Sequence, residues 1–257
     1  MKARIYGGLG VVILAMAVAL EVWAITTVQV KVVCPISKTK NDFYDYASWG
    51  TYVYAWPSKF QMVFWPHTDP VSLYSCKKCR LTVWMWDFRE FPKDKIEATR
   101  SVLAALPASA SYKSYLDAPM SEKLGIAEKV YRELGRGEEF WCHFHRVTGY
   151  HLAREGKHTE AAEARARALE IAQTMLAKPE NEGIRKELLV MSAAMRHFLG
   201  RNAEALEDLQ TAAKLTFLDP KIEKEKSENA DRYLTSLIEE YIQAIQAGTV
   251  PDDVKPE

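Results

Sequence analysis

The chain has 257 residues, of which 34 are Lys or Arg and 34 are Asp or Glu, so its formal net charge is zero. This balance argues against a nucleic-acid binder, because such proteins carry an excess of basic residues. The length suffices for one large domain or two small ones beside an N-terminal segment. The 4 cysteines are too few for a disulfide scaffold in a chain of this length.

The N-terminal segment has the pattern of an export signal. Lys2 and Arg4 precede an apolar run over residues 5–20. A basic start followed by an apolar run is typical of a secretory signal peptide or a signal anchor, and about 20 apolar residues suffice to span a bilayer. We therefore expect residues 1–27 to be a membrane-anchoring signal-anchor helix or a cleaved signal peptide, which places the rest on the periplasmic or extracytoplasmic face. A buried N-terminal helix of a soluble protein is the alternative interpretation.

Three of the cysteines mark the ends of a stretch that is rich in Trp, Tyr and Phe. Cys34 opens it, and the pair Cys76 and Cys79 closes it. Two C-x-x-C turns separated by a few dozen residues are the pattern by which a zinc ribbon binds one metal ion. Here Ser37 stands where the second cysteine of the first turn is expected.

Residues 28–90 are expected to form a small β-rich, zinc-ribbon-like module. Alternation and a high content of β-branched and aromatic residues favour strands. Strands are predicted at residues 28–34, 52–56 and 62–65, and residues 73–75 lead into Cys76. The apolar, aromatic stretch at residues 81–88 is expected to be a further strand.

Thiolates on tight turns can face one tetrahedral metal ion, with metal–sulfur bonds of about 2.3 Å. Cys34, Cys76 and Cys79 are the candidate ligands, and His67 is a candidate fourth ligand because it lies within the module. A zinc ion would act structurally here, since it stands in for a hydrophobic core that is too small to fold alone. Further candidates lie outside the module, at Cys142, His143 and His145.

Three other interpretations of the cysteines remain open. Export favours oxidation, so Cys76 and Cys79 could form a disulfide. The module could instead be free of metal, with its aromatic residues packing in place of the ion. A redox pair is the third interpretation, although a thioredoxin-type motif belongs to an α/β fold and no βαβ pattern surrounds this one.

The order of these motifs resembles that of the DUF2225 family of bacterial proteins, over roughly residues 32–217. The residues that carry the resemblance are Cys34-Pro35, Asp69-Pro70, Tyr74, Cys76, Cys79 and Asp87-Phe88. The family pattern is a CPxC…CPxCG pair followed by helices of tetratricopeptide type, so the resemblance implies that architecture. It implies no catalytic activity. This sequence departs from the pattern at Ser37, Lys77 and Arg80.

From residue 91 to residue 247 the hydrophobic period becomes helical, and we expect a tetratricopeptide-like stack of α-hairpins followed by a polar tail at residues 248–257. Ser121 and Thr159 are plausible N-caps and Gly135 is a plausible C-cap. The helices are predicted at residues 94–106, 121–134, 138–154, 160–177, 184–199, 203–215 and 231–247.

Two segments of this region repeat the same frame. Each has a turn glycine followed at fixed offsets by small residues, which is the tetratricopeptide pattern. Gly149 is expected where two helices approach closely. The matching pairs are Gly156 with Gly200, Ala161 with Ala205, and Ala168 with Ala212.

These observations predict an α+β protein that is predominantly α. We expect a non-enzymatic scaffold or adaptor of the bacterial cell envelope, because helical repeat stacks present surfaces to protein or peptide partners. The partner is expected in the helical groove, the membrane is contacted through the N-terminal segment, and neither nucleic acid nor a small-molecule substrate is indicated. The alternative function is a thiol-redox or metal-handling protein that uses Cys34, Cys76 and Cys79.

Overall fold

A computed structural model describes residues 26–48, 58–107 and 118–249 of the chain. These residues form a predominantly helical protein with two small antiparallel sheets. The expected signal anchor and polar tail lie almost wholly outside the described residues, and the strand predicted at residues 52–56 lies outside them altogether. Across the described ranges, no helix is both long enough and apolar enough to cross a lipid bilayer.

The two sheets are hairpins, and each carries one cysteine turn at its tip. β1 (Thr26–Val33) pairs with β2 (Lys40–Ser48), and β3 (Leu73–Ser75) pairs with β4 (Thr82–Trp84). The sequence did not predict β2, because polar residues dominate it. Its inward residues Asn41 and Phe43 are buried, whereas Lys40, Asp42 and Tyr44, which alternate with them, are exposed.

Two strand predictions are corrected by the structure. Residues 62–65 form no strand, because the preceding residues 58–61 are a helical turn, α1 (Ser58–Gln61), and Met62 has a positive φ of 53°. The apolar stretch at residues 81–88 divides into β4 and a short helix that begins at Met85. Residues 62–65 are apolar because they are buried on the helices, whereas in residues 81–88 only β4 pairs in a sheet.

The predicted helices are present, with shifted ends. Residues 138–154 agree with the prediction. The predicted N-caps Ser121 and Thr159 disagree with the structure, because the helices begin one residue earlier, at Met120 and His158. The helices after α1 are α2 (Met85–Arg89), α3 (Ile96–Ala104), α4 (Met120–Leu134), α5 (Glu138–Arg154), α6 (His158–Leu176), α7 (Arg185–Phe198), α8 (Asn202–Ala212) and α9 (Lys224–Ala247).

The repeated frame corresponds to two successive α-hairpins, α5–α6 and α7–α8. Gly156 and Gly200 occupy the turns with φ of 73° and 76°, a conformation that glycine adopts without steric cost. The small residues are fully buried where the helices meet, at Ala161, Ala168, Ala205 and Ala212. Gly149 lies at a close approach of α5 and α6, since a Cβ there would come within 2.9 Å of Arg165 Cγ.

The β hairpins share their hydrophobic core with the helices. Buried residues of both hairpins belong to one cluster with residues of α3, α4 and α5. Tyr131 of α4 joins the two parts directly: its hydroxyl accepts a hydrogen bond from the Trp84 amide at 2.8 Å and donates one to Asp87 at 2.6 Å. Arg136 also contacts Asp87, at 2.5 Å. The cysteine turns are therefore positioned by direct contacts with the helical stack.

Candidate metal centre and the helical face

The turns at the tips of the two hairpins have the same backbone structure. In the first, the Cys34 amide donates to the Thr39 carbonyl at 2.9 Å, and the Lys38 amide donates to the Cys34 carbonyl at 3.0 Å. The second turn repeats both bonds at 2.9 Å, from Cys76 to the Leu81 carbonyl and from Arg80 to the Cys76 carbonyl. Position by position, Cys34 corresponds to Cys76 and Ser37 corresponds to Cys79.

The last residue of each turn has a left-handed backbone. Lys38 has a φ of 59° and Arg80 a φ of 62°, a region that favours glycine. The turn therefore persists although neither position holds a glycine. An arginine at position 80 thus does not prevent the second cysteine turn from forming.

The structure brings three thiols together from the two turns. Among the residues that the structure describes, Cys34, Cys76 and Cys79 form the one group of potential ligands whose donor atoms all lie within 4.8 Å of one another. Cys34 Sγ lies 3.5 Å from Cys79 Sγ. In a tetrahedral site with metal–sulfur bonds of about 2.3 Å, two sulfurs are about 3.8 Å apart. The three thiols could therefore hold a metal ion with small adjustments.

Ser37 lies at the fourth corner of this group. Its Oγ is 3.4 Å from Cys76 Sγ, and its amide is directed at Cys34 Sγ, also at 3.4 Å. The Thr39 amide donates a hydrogen bond to Ser37 Oγ at 3.4 Å. Since Ser37 corresponds to Cys79 in the second turn, the hydroxyl occupies the place of the missing thiol.

Asn41 connects the two turns from β2. Its Nδ2 donates to Cys76 Sγ at 3.7 Å and to the Thr39 carbonyl at 3.0 Å, and its Oδ1 accepts a hydrogen bond from the Lys77 amide at 3.0 Å. The side chain is only 2% exposed. Asn41 therefore holds the second turn against the first and orients the Cys76 sulfur. No sequence motif indicated it, because its role depends on the register of a strand that was not predicted.

The three thiols perturb one another. Hydrogen bonds with Cys34 and Cys79 hold the pKa of the Cys76 thiol well below its usual range, whereas the hydrogen bond with Cys34 raises the pKa of Cys79. All four cysteines of the chain are free thiols. The thiolate is the form of cysteine that binds a metal, so the lowered pKa of Cys76 favours metal binding at this sulfur.

The structure does not bring His67, the predicted fourth ligand, into the group of thiols. Its ring packs edge-on against Trp84 and His143, with centroid distances of 4.8 and 4.3 Å. Burial lowers the pKa of His67 to about 4, so the ring is neutral at pH 7. The segment that carries it is held on α5, because the His67 carbonyl accepts a hydrogen bond from His151 Nε2 at 2.7 Å.

The candidate ligands outside the module, Cys142, His143 and His145, also have structural roles. Cys142 is buried on α5 and donates a hydrogen bond to the Ala168 carbonyl at 3.6 Å. His143 Nδ1 contacts Arg146 at 3.3 Å, and His145 stacks on Trp141 with ring centroids 5.7 Å apart. None of these three side chains belongs to the group of thiols.

The second feature is a surface of the helical stack to which α5, α7 and α9 contribute, and we call it the helical face. The segment 58–69 of the chain itself lies on this face. Arg146 of α5 donates to the Gln61 and Met62 carbonyls at 3.3 and 3.0 Å. The Tyr241 hydroxyl of α9 donates to the Lys59 carbonyl at 2.5 Å. Side chains of α5 and α9 thus hold the backbone of this segment by hydrogen bonds.

Side chains complete this contact. Phe60 is fully buried, and its ring centroid lies 4.1 Å from that of Tyr241 and 5.0 Å from that of His197. Lys59 forms an ion pair with Glu240. Phe60 and Met62 are members of the same hydrophobic cluster as α7 and α9. The segment therefore fills the face on which a partner was expected, a result that the sequence pattern did not indicate.

Comparisons with family models, with curated proteins and with solved structures find no match to this chain. The resemblance to the DUF2225 family thus stays a prediction from the motif residues.

Proposed function

We propose that the protein is a non-enzymatic adaptor of the bacterial cell envelope. In this proposal the N-terminal segment anchors it in the membrane, a zinc-ribbon-like module follows, and a tetratricopeptide-like stack binds a protein segment. The observation that carries the proposal is the contact between the helical face and residues 58–69. Three backbone carbonyls of α1 and the residue after it, at Lys59, Gln61 and Met62, accept hydrogen bonds from side chains of this face, so the face binds the segment in part through its main chain.

Two side-chain contacts define the kind of segment that suits the helical face. A buried aromatic side chain fits the position of Phe60, and a basic residue before it fits opposite Glu240. We propose that the partner presents a short segment of this chemistry, which takes the place of the resident one.

Zinc is the metal that we propose for the three thiols. A set of cysteine ligands on tight turns suits zinc, whose structural sites use thiolates in a tetrahedral arrangement. Cys34 and Cys76 are completely buried, so the ion would stabilise the module from within. Metal content and free-thiol count, measured on protein purified without chelator, test this part: we expect about one zinc per chain with three thiols protected.

The same measurement tests the alternative function in thiol-redox chemistry. Cys34 Sγ and Cys79 Sγ lie 3.5 Å apart without a bond, and they are the two thiols that oxidation would join across the two turns. A protein without metal that lacks these two thiols, and regains them on reduction, would support the redox alternative over a structural metal.

Partner binding is tested with a synthetic fluorescent peptide that has the sequence of residues 58–69. We expect it to bind weakly to the full-length chain, because the resident segment competes. Lys59→Glu breaks the pair with Glu240 in the resident segment only, so the same peptide should bind this variant about five-fold more tightly. A peptide with Phe60→Ala should bind neither protein.

Lys129→Glu provides a matched control, because it makes the same charge change at an exposed position of α4. It should leave the affinity for the peptide unchanged. If the peptide binds none of the three proteins, the helical face holds its resident segment permanently and the adaptor proposal fails at this face.

The location is tested separately, by a reporter fused after Ala247 that is active only outside the cytoplasm. Activity of the reporter in the membrane fraction supports an anchored, exported protein. Activity in the soluble exported fraction would indicate a cleaved signal peptide, and an inactive reporter in the cytoplasm would contradict the envelope proposal.

A further inference from the structure

The four corners of the metal centre differ in chemistry and in exposure. Cys34 and Cys76 are fully buried, whereas Ser37 and Cys79 are partly exposed to solvent. Three corners are thiols and the fourth is a hydroxyl. The weakest donor of the set therefore lies at an accessible position.

The Ser37 hydroxyl is placed well for a ligand but is a poor one. In a tetrahedral site, metal–oxygen bonds of about 2.0 Å and metal–sulfur bonds of about 2.3 Å put the oxygen about 3.5 Å from a sulfur. The observed distance from Ser37 Oγ to Cys76 Sγ is 3.4 Å. A neutral hydroxyl competes poorly with a thiolate for a soft metal site, so its hold on this corner is weak.

We propose that the corner at Ser37 is an exchangeable coordination position that binds a small thiol from solution. This inference rests on the metal centre of the proposed function and is independent of its partner. In the exchange, the bond between the metal and Ser37 Oγ breaks and a bond to the incoming sulfur forms. The proton of the thiol passes to the solvent, and no oxidation or reduction takes place.

The charges around the turns favour an incoming anion. Three thiolates and a divalent ion carry one net negative charge, which would repel a fourth thiolate. Exposed lysines belong to the two turns themselves, at Lys38, Lys77 and Lys78. Lys77 has one carboxylate nearby, Asp42, at the long distance of 3.9 Å. These ammonium groups offset the negative charge of the site and attract a thiolate toward its exposed side.

The test uses Co²⁺, because its absorption reports the number of bound sulfurs. The full-length chain is purified in mild detergent with a phosphine as the reductant, so that no competing thiol is present. Co²⁺ is added alone, and 2-mercaptoethanol is then titrated in. For the natural sequence we expect the Co²⁺ spectrum of three sulfur ligands and one oxygen ligand. As 2-mercaptoethanol is added, this spectrum should change to that of four sulfur ligands, and the change should saturate.

Ser37→Cys is the matched variant, since it places a thiol at the same corner. It should show the four-sulfur spectrum from the start, bind Co²⁺ at least about ten-fold more tightly and give no response to 2-mercaptoethanol. Ser37→Ala should retain the response, because the corner is then held by water alone.

Two results would overturn the proposal in different ways. If the natural sequence binds Co²⁺ and its spectrum is insensitive to 2-mercaptoethanol, the corner is closed and only the exchange proposal fails. If neither the natural sequence nor Ser37→Cys binds Co²⁺, the metal centre itself is refuted, and the zinc of the proposed function fails with it.

Discussion

The close approach of α5 and α6 at Gly149 predicts that Gly149→Ala lowers the free energy of unfolding. An alanine there would place its Cβ 2.9 Å from Arg165 Cγ and 3.3 Å from the Ala161 carbonyl oxygen. Arg165 cannot easily move, because its Nε bonds to Gln61 Oε1 at 3.1 Å and its guanidinium lies 4.2 Å from the centre of the Phe198 ring. The carbonyl belongs to the backbone of α6.

Two effects of Gly149→Ala oppose each other. Alanine is more favourable than glycine inside a helix by about 1 kcal/mol. Overpacking a rigid contact between helices costs about 1–3 kcal/mol. Because both neighbours of the new methyl group are held in place, we expect the cost to exceed the gain, with a net loss of up to about 2 kcal/mol in the free energy of unfolding.

Gly125→Ala is the matched control, since Gly125 also lies inside a helix and a Cβ there meets nothing within 4 Å. We expect it to gain about 1 kcal/mol. Urea denaturation followed by circular dichroism measures the free energy of unfolding of both variants. In thermal denaturation, their melting temperatures should move in opposite directions by about 2–4 °C per kcal/mol. If Gly149→Ala stabilises as much as Gly125→Ala, the helices are further apart than described and the packing argument is wrong.

Three further predictions concern other parts of the molecule. Asn41→Ala removes the amide that orients Cys76 Sγ, and should weaken metal binding about 10- to 100-fold in competition with a coloured chelator; an unchanged affinity would contradict this role. Gly183→Ala places a Cβ 2.1 Å from the Leu218 carbonyl oxygen, so it should detach the loop after α8 and raise hydrogen exchange there; unaltered exchange would argue against the contact. Burial lowers the pKa of His151 from 6.5 to about 4, so the unfolded state binds the proton first as the pH falls. The free energy of unfolding should drop between those pH values, by up to about 3 kcal/mol from this residue. His151→Gln, which can still donate to the His67 carbonyl, should flatten that slope; the same slope in both proteins would refute the assignment.

The helical part of the fold was predictable because its signals are local. Gly135 and Gly200 end helices with positive φ, as their positions indicate, and the buried alanines follow the same helical period in both hairpins. The N-caps were less predictable. A serine such as Ser121 at the start of an apolar run suggests a cap, but here the helix begins at Met120, directly after Pro119.

The β-rich part shows where local reasoning stops. Residues 62–65 have the composition of a strand, yet they belong to the segment on the helical face, where burial against α5 and α9 decides their conformation. Asn41 and Phe43 are inward residues of β2 whose burial depends on the pairing register with β1. The conformation of residues 62–65 and the burial of Asn41 and Phe43 both depend on residues that are distant in the sequence. The pattern within each segment carries no information about those residues.

The candidate metal centre was predictable in its thiols and not in its fourth corner. Spacing alone pointed to Cys34, Cys76 and Cys79. Proximity in sequence suggested His67, whereas the equivalence of the two turns places Ser37 there. That equivalence depends on matching backbone bonds and on the positive φ of Lys38 and Arg80, which only the folded structure displays.

The position of the two turns on either side of residues 58–69 has a consequence for chain entropy. Cys34 and Cys79 are 45 positions apart in the sequence. A metal ion that joins them closes a loop of that length, which by analogy with a disulfide removes about 4 kcal/mol of conformational entropy from the unfolded chain. The segment on the helical face lies inside that loop. A metal ion at the two turns would therefore restrain both ends of the stretch of chain that contains the segment, and the strength with which the helices retain the segment would depend on the metal.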